Sequence, residues 1–289
     1  MTARRWLSLP PLLAAAALTC WALPSSAAVH AAAMHRLAPA AVRAAPACNP
    51  VASSLRPTGP PRVTPGSFMA RIRARGRLIA GVSQSTYPFG FYNPLHGSTE
   101  GFDIDIVHAI AKAIFGNPNK VEFKAISDDQ RIPEVQSGAV DIVAHTMTIN
   151  CDRLQKVDFS TVYFDAGQQV LVLKNSRAKS LADLGGKKVC ATAGSTSIAN
   201  IKAASSHPIP VPVTNFTDCL VLLQQGDVAA ISTDNDILAG LAISKQHADF
   251  VQFVNAVLQQ MRTDGQWAAD YRHWVGTPVP APPPAHYKA

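Results

Sequence analysis

The 289-residue sequence predicts an α/β fold of two lobes around a central cleft. Three observations carry this. Short runs rich in Val and Ile alternate with segments of helical period, the mark of mostly parallel sheets. That β-α-β-α-β order occurs twice, over 77–144 and over 187–232, with a single strand-like run at 168–174 between the two copies. Of 22 prolines, only 7 fall between 67 and 276, so one long stretch is free to form regular structure.

The elements follow in order. Residues 77–82 read as a strand. Segment 101–114 is apolar at 102, 106, 107, 110, 111 and 114, which is helix spacing, with Asp103 and Asp105 in the first turn where they complement the dipole. Residues 120–124 form a strand, 130–138 a short helix ended by Gly138, and 140–144 a buried strand. The second half repeats the theme: strand 187–191, helix 197–204, strand 211–213, helix 217–225, strand 229–232. Two helices, 249–261 and 265–275, close the chain. The first lobe is assigned to 67–167 and 242–276, the second to 168–241.

The ends read differently. Arg4 and Arg5 precede a short apolar run broken by Pro10 and Pro11, the pattern of a secretory leader over 1–28 and too short for a membrane span. Ser26-Ala27-Ala28 offers a cleavage site; Cys20 offers lipidation instead, though Leu18 and Thr19 fit a lipobox poorly. Residues 29–66 are Ala/Pro-rich and read as an extended spacer, and 277–289 as a Pro-rich tail. The net charge of +7 sits largely in the leader and spacer: residues 1–66 hold six arginines and no acid, leaving 20 bases against 19 acids beyond them. That balance gives no reason to expect a nucleic-acid partner.

Four further cysteines in an exported chain suggest disulfides. Cys190 ends a strand and Cys219 opens the next helix, which pairs them; Cys48 then pairs with Cys151 and pins the spacer to the domain. No C-x-x-C spacing is present, so no metal site is expected, and no phosphate loop or other cofactor motif appears.

Several segments resemble a known family: GFDIDI at 101–106, RIPEVQSGAVD at 131–141, TMTINCDR at 146–153, VDFS at 157–160 and LADLGGK at 181–187. They resemble the solute-binding proteins of polar-amino-acid ABC importers, in particular the glutamate/glutamine-binding type, over about 67–276. The resemblance implies a type II periplasmic-binding-protein fold. It implies a monomer that hands an amino acid to membrane permease and ATPase subunits, and no catalysis. It also assigns residues. Arg153 would hold the ligand α-carboxylate, helped by Thr148 and the backbone at Thr146, because guanidinium and carboxylate are matching planar forks. The loop 192–196, with Ser195 and Thr196 at a helix start, would receive the same group. Asp234 would take the ammonium. Arg131 would reach a side-chain carboxylate, and as a second buried cation would favour glutamate or aspartate over glutamine. His145 would sit beside the pocket, and Tyr87 and Phe89 would wall it.

One departure stands out. Residues 238–241 run almost directly into 242–249 and the last helices, shorter than the family pattern. The expectation is a hinge of one good strand, a missing crossing strand and lower stability. Two alternatives accompany the reading: a cyclohexadienyl-dehydratase-like enzyme on the same fold, with Asp128 or Asp129 as its carboxylate, and a degenerate ligand sensor.

Overall fold

A computed structural model describes residues 48–167, 169–233 and 237–288. The leader, Cys20, the first part of the spacer and Asp234 lie outside the described residues.

The chain begins with α1 (Phe68–Arg75), β1 (Leu78–Val82), β2 (Ser85–Thr86), β3 (Gly90–Asn93), β4 (Ser98–Glu100), α2 (Phe102–Phe115), β5 (Val121–Ala125), α3 (Arg131–Gln136) and β6 (Ile142–Ala144). It continues with α4 (Cys151–Leu154), β7 (Asp158–Phe159), β8 (Phe164–Ala166), β9 (Gln169–Leu171), a 3-10 turn (Leu181–Leu184), β10 (Lys188–Thr192), α5 (Thr196–Ala203) and β11 (Ile209–Val213). It ends with α6 (Phe216–Gln225), β12 (Ala230–Thr233), β13 (Ile237–Ala239), β14 (Ala242–Ile243), α7 (Ala248–Thr263) and α8 (Gln266–Trp274).

Two sheets share one plan. The first has the order β5-β1-β6-β14-β7, and the second β11-β10-β12-β9. In each, the first strand pairs in parallel with the second and third. In each, an antiparallel strand arriving from the other lobe pairs beside the third. All six apolar positions read for α2 are buried, together with Phe250, Val254 and Trp267 of the last two helices, in the main core against sheet one. Each such Ile, Val or Phe side chain contributes about 1.5–3 kcal/mol when fully buried. Cys190–Cys219 ties β10 to α6 inside the second lobe's core, as the sequence pairing has it.

The crossing between sheets differs from expectation. Two strands cross, not one: β8 leads out and β13 returns, antiparallel, with Phe164 opposite Ala239 and Ala166 opposite Ile237. The return is held further by Ile149 N donating to Leu238 O (3.0 Å), Tyr163 N to Ala239 O (2.9 Å) and Ser160 N to Leu241 O (2.9 Å). Among the described residues, sheet two has four strands where sheet one has five. The short return still leaves the hinge paired.

Two stretches gain structure the sequence pattern did not suggest. Strands β2, β3 and β4 form a small antiparallel meander. Residues 48–66, read as spacer, pack against the first lobe. Cys48 is bonded to Cys151, and buried Ser54 donates to Phe159 O (2.7 Å). Buried Asn255 donates to Ser54 Oγ (2.7 Å) and Leu55 O (2.6 Å). The tail joins the same belt: Lys288 N donates to Ser54 O, and Arg262 Nε to Pro283 O. Proline lowers the entropy of an extended segment, so a few buried polar anchors suffice to hold it.

Candidate binding cleft

In sheets of this plan, loops at the carboxyl ends of the parallel strands make the site. Here the ends of β1, β5 and β6 face those of β10, β11 and β12 across a cleft of about 360 Å³. Its lining includes Ser83, Asp128, Arg131, His145 and Thr146 from the first lobe, and Thr192, Ser195, Asn215 and Ser232 from the second.

Arg131 opens α3 and is 2% exposed. Its Nε donates to Asp128 O (2.9 Å) and its Nη1 to His145 O (3.1 Å), and Nη1 also pairs with Asp128 Oδ1 at 3.1 Å. Arg131 is thus not the uncompensated cation the sequence argument supposed. Asp128, three residues earlier, balances it. Burial alone would raise the Asp128 carboxyl, but Arg131, His145 and the Thr192 hydroxyl, which donates to Oδ2, hold it below its ordinary value. A carboxylate kept ionised in this way does not serve as a general acid.

Arg153 is also buried. It sits on α4, whose N-cap Asn150 accepts from Arg153 N, and Cys151 anchors the same short helix to Cys48. Arg153 Nη1 donates to Thr148 O (2.8 Å) and Nη2 to Gly194 O (3.1 Å). Arg131 Nη2 reaches the same Gly194 oxygen at 3.4 Å. Thr148 Oγ1 and Thr196 Oγ1 share a hydrogen bond of 3.1 Å. Both arginines and Thr148 of the first lobe therefore converge on the loop 192–196 of the second. Gly194 is required there. Its φ is +79°, and a Cβ would lie 2.7 Å from Asp129 Cα.

Of the other expected residues, Thr146 and His145 line the cleft, and Ser195 lines it while also capping α5 by accepting from Ile198 N. Thr146 takes a φ of +41°, rare for a threonine. Its N–H donates to Asp103 Oδ2 (2.9 Å), and Tyr163 OH donates to Asp103 Oδ1 (2.7 Å). Asp103 so holds a strained backbone at the cleft floor, a role beyond the dipole complement read from sequence. Burial pushes its carboxyl up to about 6 against those two hydrogen bonds. Burial, with Arg131 nearby, pushes His145 down to about 4, so the ring is neutral near pH 7.

Tyr87 and Phe89 do not line this cleft. Tyr87 is 69% exposed and meets Phe91 edge-on, and Phe89 packs edge-on against Phe102 and Phe164. Both follow β2, whose own Ser85 and Thr86 line the cleft in their place. Asp128, Thr192 and Gly194 complete the corner. The three-residue spacing of Asp128 and Arg131 at a helix entry was the available signal for their pairing.

Residues 78–277 match the bacterial extracellular solute-binding proteins, family 3. The chain is 37% identical over 229 residues to the ABC transporter glutamine-binding protein GlnH of Bacillus subtilis, covering 72% of this chain and 84% of that one. It is 41% identical over 175 residues to the glutamine-binding protein of Geobacillus stearothermophilus, covering 60% and 67%. The solved structure of an ancestral arginine-binding protein bound to arginine matches with a TM-score of 0.65 at 35% identity, over 70% of this chain and 99% of that one. The chain belongs to the family 3 bacterial extracellular solute-binding proteins, with the type II two-lobed fold, and is a binding protein rather than an enzyme.

Proposed function

We propose that this chain is the extracytoplasmic amino-acid-binding subunit of an ABC importer, and that its ligand is a polar amino acid of the glutamine, glutamate or aspartate kind. The observation that carries this is the convergence of Arg131 and Arg153 on the loop 192–196 beside a 360 Å³ cleft. A cleft of that size suits a small ligand. The α-carboxylate exchanges places with the Gly194 carbonyl and is held by Arg153, Thr148 and Thr196. The lobes close over it by bending at β8 and β13. Asp234, outside the described residues, takes the ammonium. Residues 1–28 direct export. The mature chain is a monomer that is either secreted or anchored through Cys20, and it docks with permease and ATPase subunits.

A thermal melt of the oxidised full-length chain tests this with glutamine, asparagine, glutamate and aspartate. A ligand at one hundred times its Kd adds about 2.7 kcal/mol. A cooperative melt that none of the four moves refutes the reading.

A further inference from the structure

Away from the cleft, helices α2, α7 and α8 of the first lobe line a second cavity, of about 590 Å³. It shares no lining residue with the cleft. Its lining is apolar at buried Val257 and Met261, and it carries Asp105, Asp264 and Asp270 against one lysine, Lys112. The three carboxylates are not equivalent. Asp105 Oδ2 accepts from Trp274 Nε1 (2.6 Å), and Asp264 Oδ1 from Gln266 N (3.0 Å). Asp270 Oδ1 accepts from Gln266 Nε2 (2.6 Å). Asp270 is 6% exposed, yet its Oδ2 is buried with no hydrogen-bond donor. Leaving a buried acceptor unsatisfied is costly, and more so when it carries charge. Burial, against the bond from Gln266 and with Asp105 nearby, raises this carboxyl to about 6, which leaves it ionised near pH 7.5.

We infer that this cavity is a second ligand site, for a primary ammonium carried on a short alkyl chain. An ammonium brings three N–H donors and no acceptor. One donor meets Asp270 Oδ2, and another turns to Asp105, whose charge is felt at Asp270. The alkyl chain lies against Val257 and Met261, so both characters of the lining are used. The volume falls in the range of small-molecule pockets. A calcium ion fits the cavity less well, since it takes six to eight oxygen ligands. Among the described residues, no group of three or more His, Cys, Asp or Glu side chains is placed to hold a metal ion.

The test is titration of the 15N-labelled, oxidised full-length chain with n-butylamine near pH 7.5. It is followed at the indole N–H of Trp274, which donates to Asp105 beside the cavity. The neutral isostere n-butanol, and potassium chloride at matched ionic strength, are the controls. Butylamine is expected to shift this resonance saturably, and neither control is. Asp270→Asn is expected to weaken the amine at least tenfold, because one partner of a buried charge pair is removed. Arg153→Ala, which disables the cleft, is expected to leave the amine response unchanged. If Asp270→Asn does not fold, the wild-type comparison of butylamine with butanol still decides. No saturable shift, an equal response to butanol or salt, or unchanged binding in a folded Asp270→Asn overturns the inference. A response abolished by Arg153→Ala places the amine in the cleft and overturns it equally.

Discussion

Replacing Asp103 with Asn tests how the cleft floor is built. Asp103 is 1% exposed, and its carboxylate accepts from Thr146 N and Tyr163 OH. Burial raises it from 3.8 to about 6. A folded value above the unfolded one means the folded state holds the proton more tightly. The stability it contributes is full below about pH 4 and is lost as pH rises through about 6. The difference corresponds to about 3 kcal/mol. The N-terminus of α2 favours the ionised form by roughly 0.3–1 kcal/mol, so 3 is an upper bound. Asp128 and His145 act with the opposite sign, since both are held below their ordinary values and lose their contribution as pH falls. The informative quantity is therefore the difference between wild type and Asp103→Asn. Denaturant unfolding of both, disulfides intact, at steps from pH 4 to 7.5 measures it. The variant is expected to lose ground at pH 4 and recover about 2–3 kcal/mol relative to wild type by pH 7.5. Parallel pH curves would refute the argument. At pH 7.5 the variant is also expected to bind ligand more weakly, because an amide cannot accept from both donors and Thr146 loses its hold.

Two further perturbations follow from the same geometry. Cys48→Ser opens a loop of 103 residues, worth about 4–5 kcal/mol by chain entropy. Because Cys151 lies on the helix of Arg153, amino-acid affinity is expected to fall as well, and denaturation with titration calorimetry reads both. Gly194→Ala strains a φ of +79° and pushes a methyl toward Asp129, so the unliganded chain is expected to lose about 1–2 kcal/mol in denaturation, and affinity is expected to fall in calorimetry because the loop that meets Arg131 and Arg153 shifts.

Much of this architecture was legible because period and order survive in sequence. The two β-α-β-α-β halves, the amphipathic face of α2 and both disulfides follow from spacing and from where strands end. What stayed hidden depended on contacts between distant residues. The proline content of 48–66 reads as a loose spacer, yet Ser54 and Asn255, 201 positions apart, hydrogen-bond in the core and fasten it. The short return from the second lobe reads as a lost crossing, yet β13 pairs with β8 and keeps the return strand at the hinge. The charge of Arg131 reads as free because its partner, Asp128, enters from the turn before the helix. The strands of the meander are two to four residues long, too short for alternation to register.

The central claim is that the cleft binds an amino acid through Arg153. Titration calorimetry of the full-length chain and of Arg153→Ala against the same amino acids tests it most directly. The account predicts saturable one-to-one binding by the wild type and a loss of about a hundredfold or more in the variant, since a charge-assisted pair is removed from a buried site. Equal affinity in a folded Arg153→Ala, or no binding by the wild type, would contradict it.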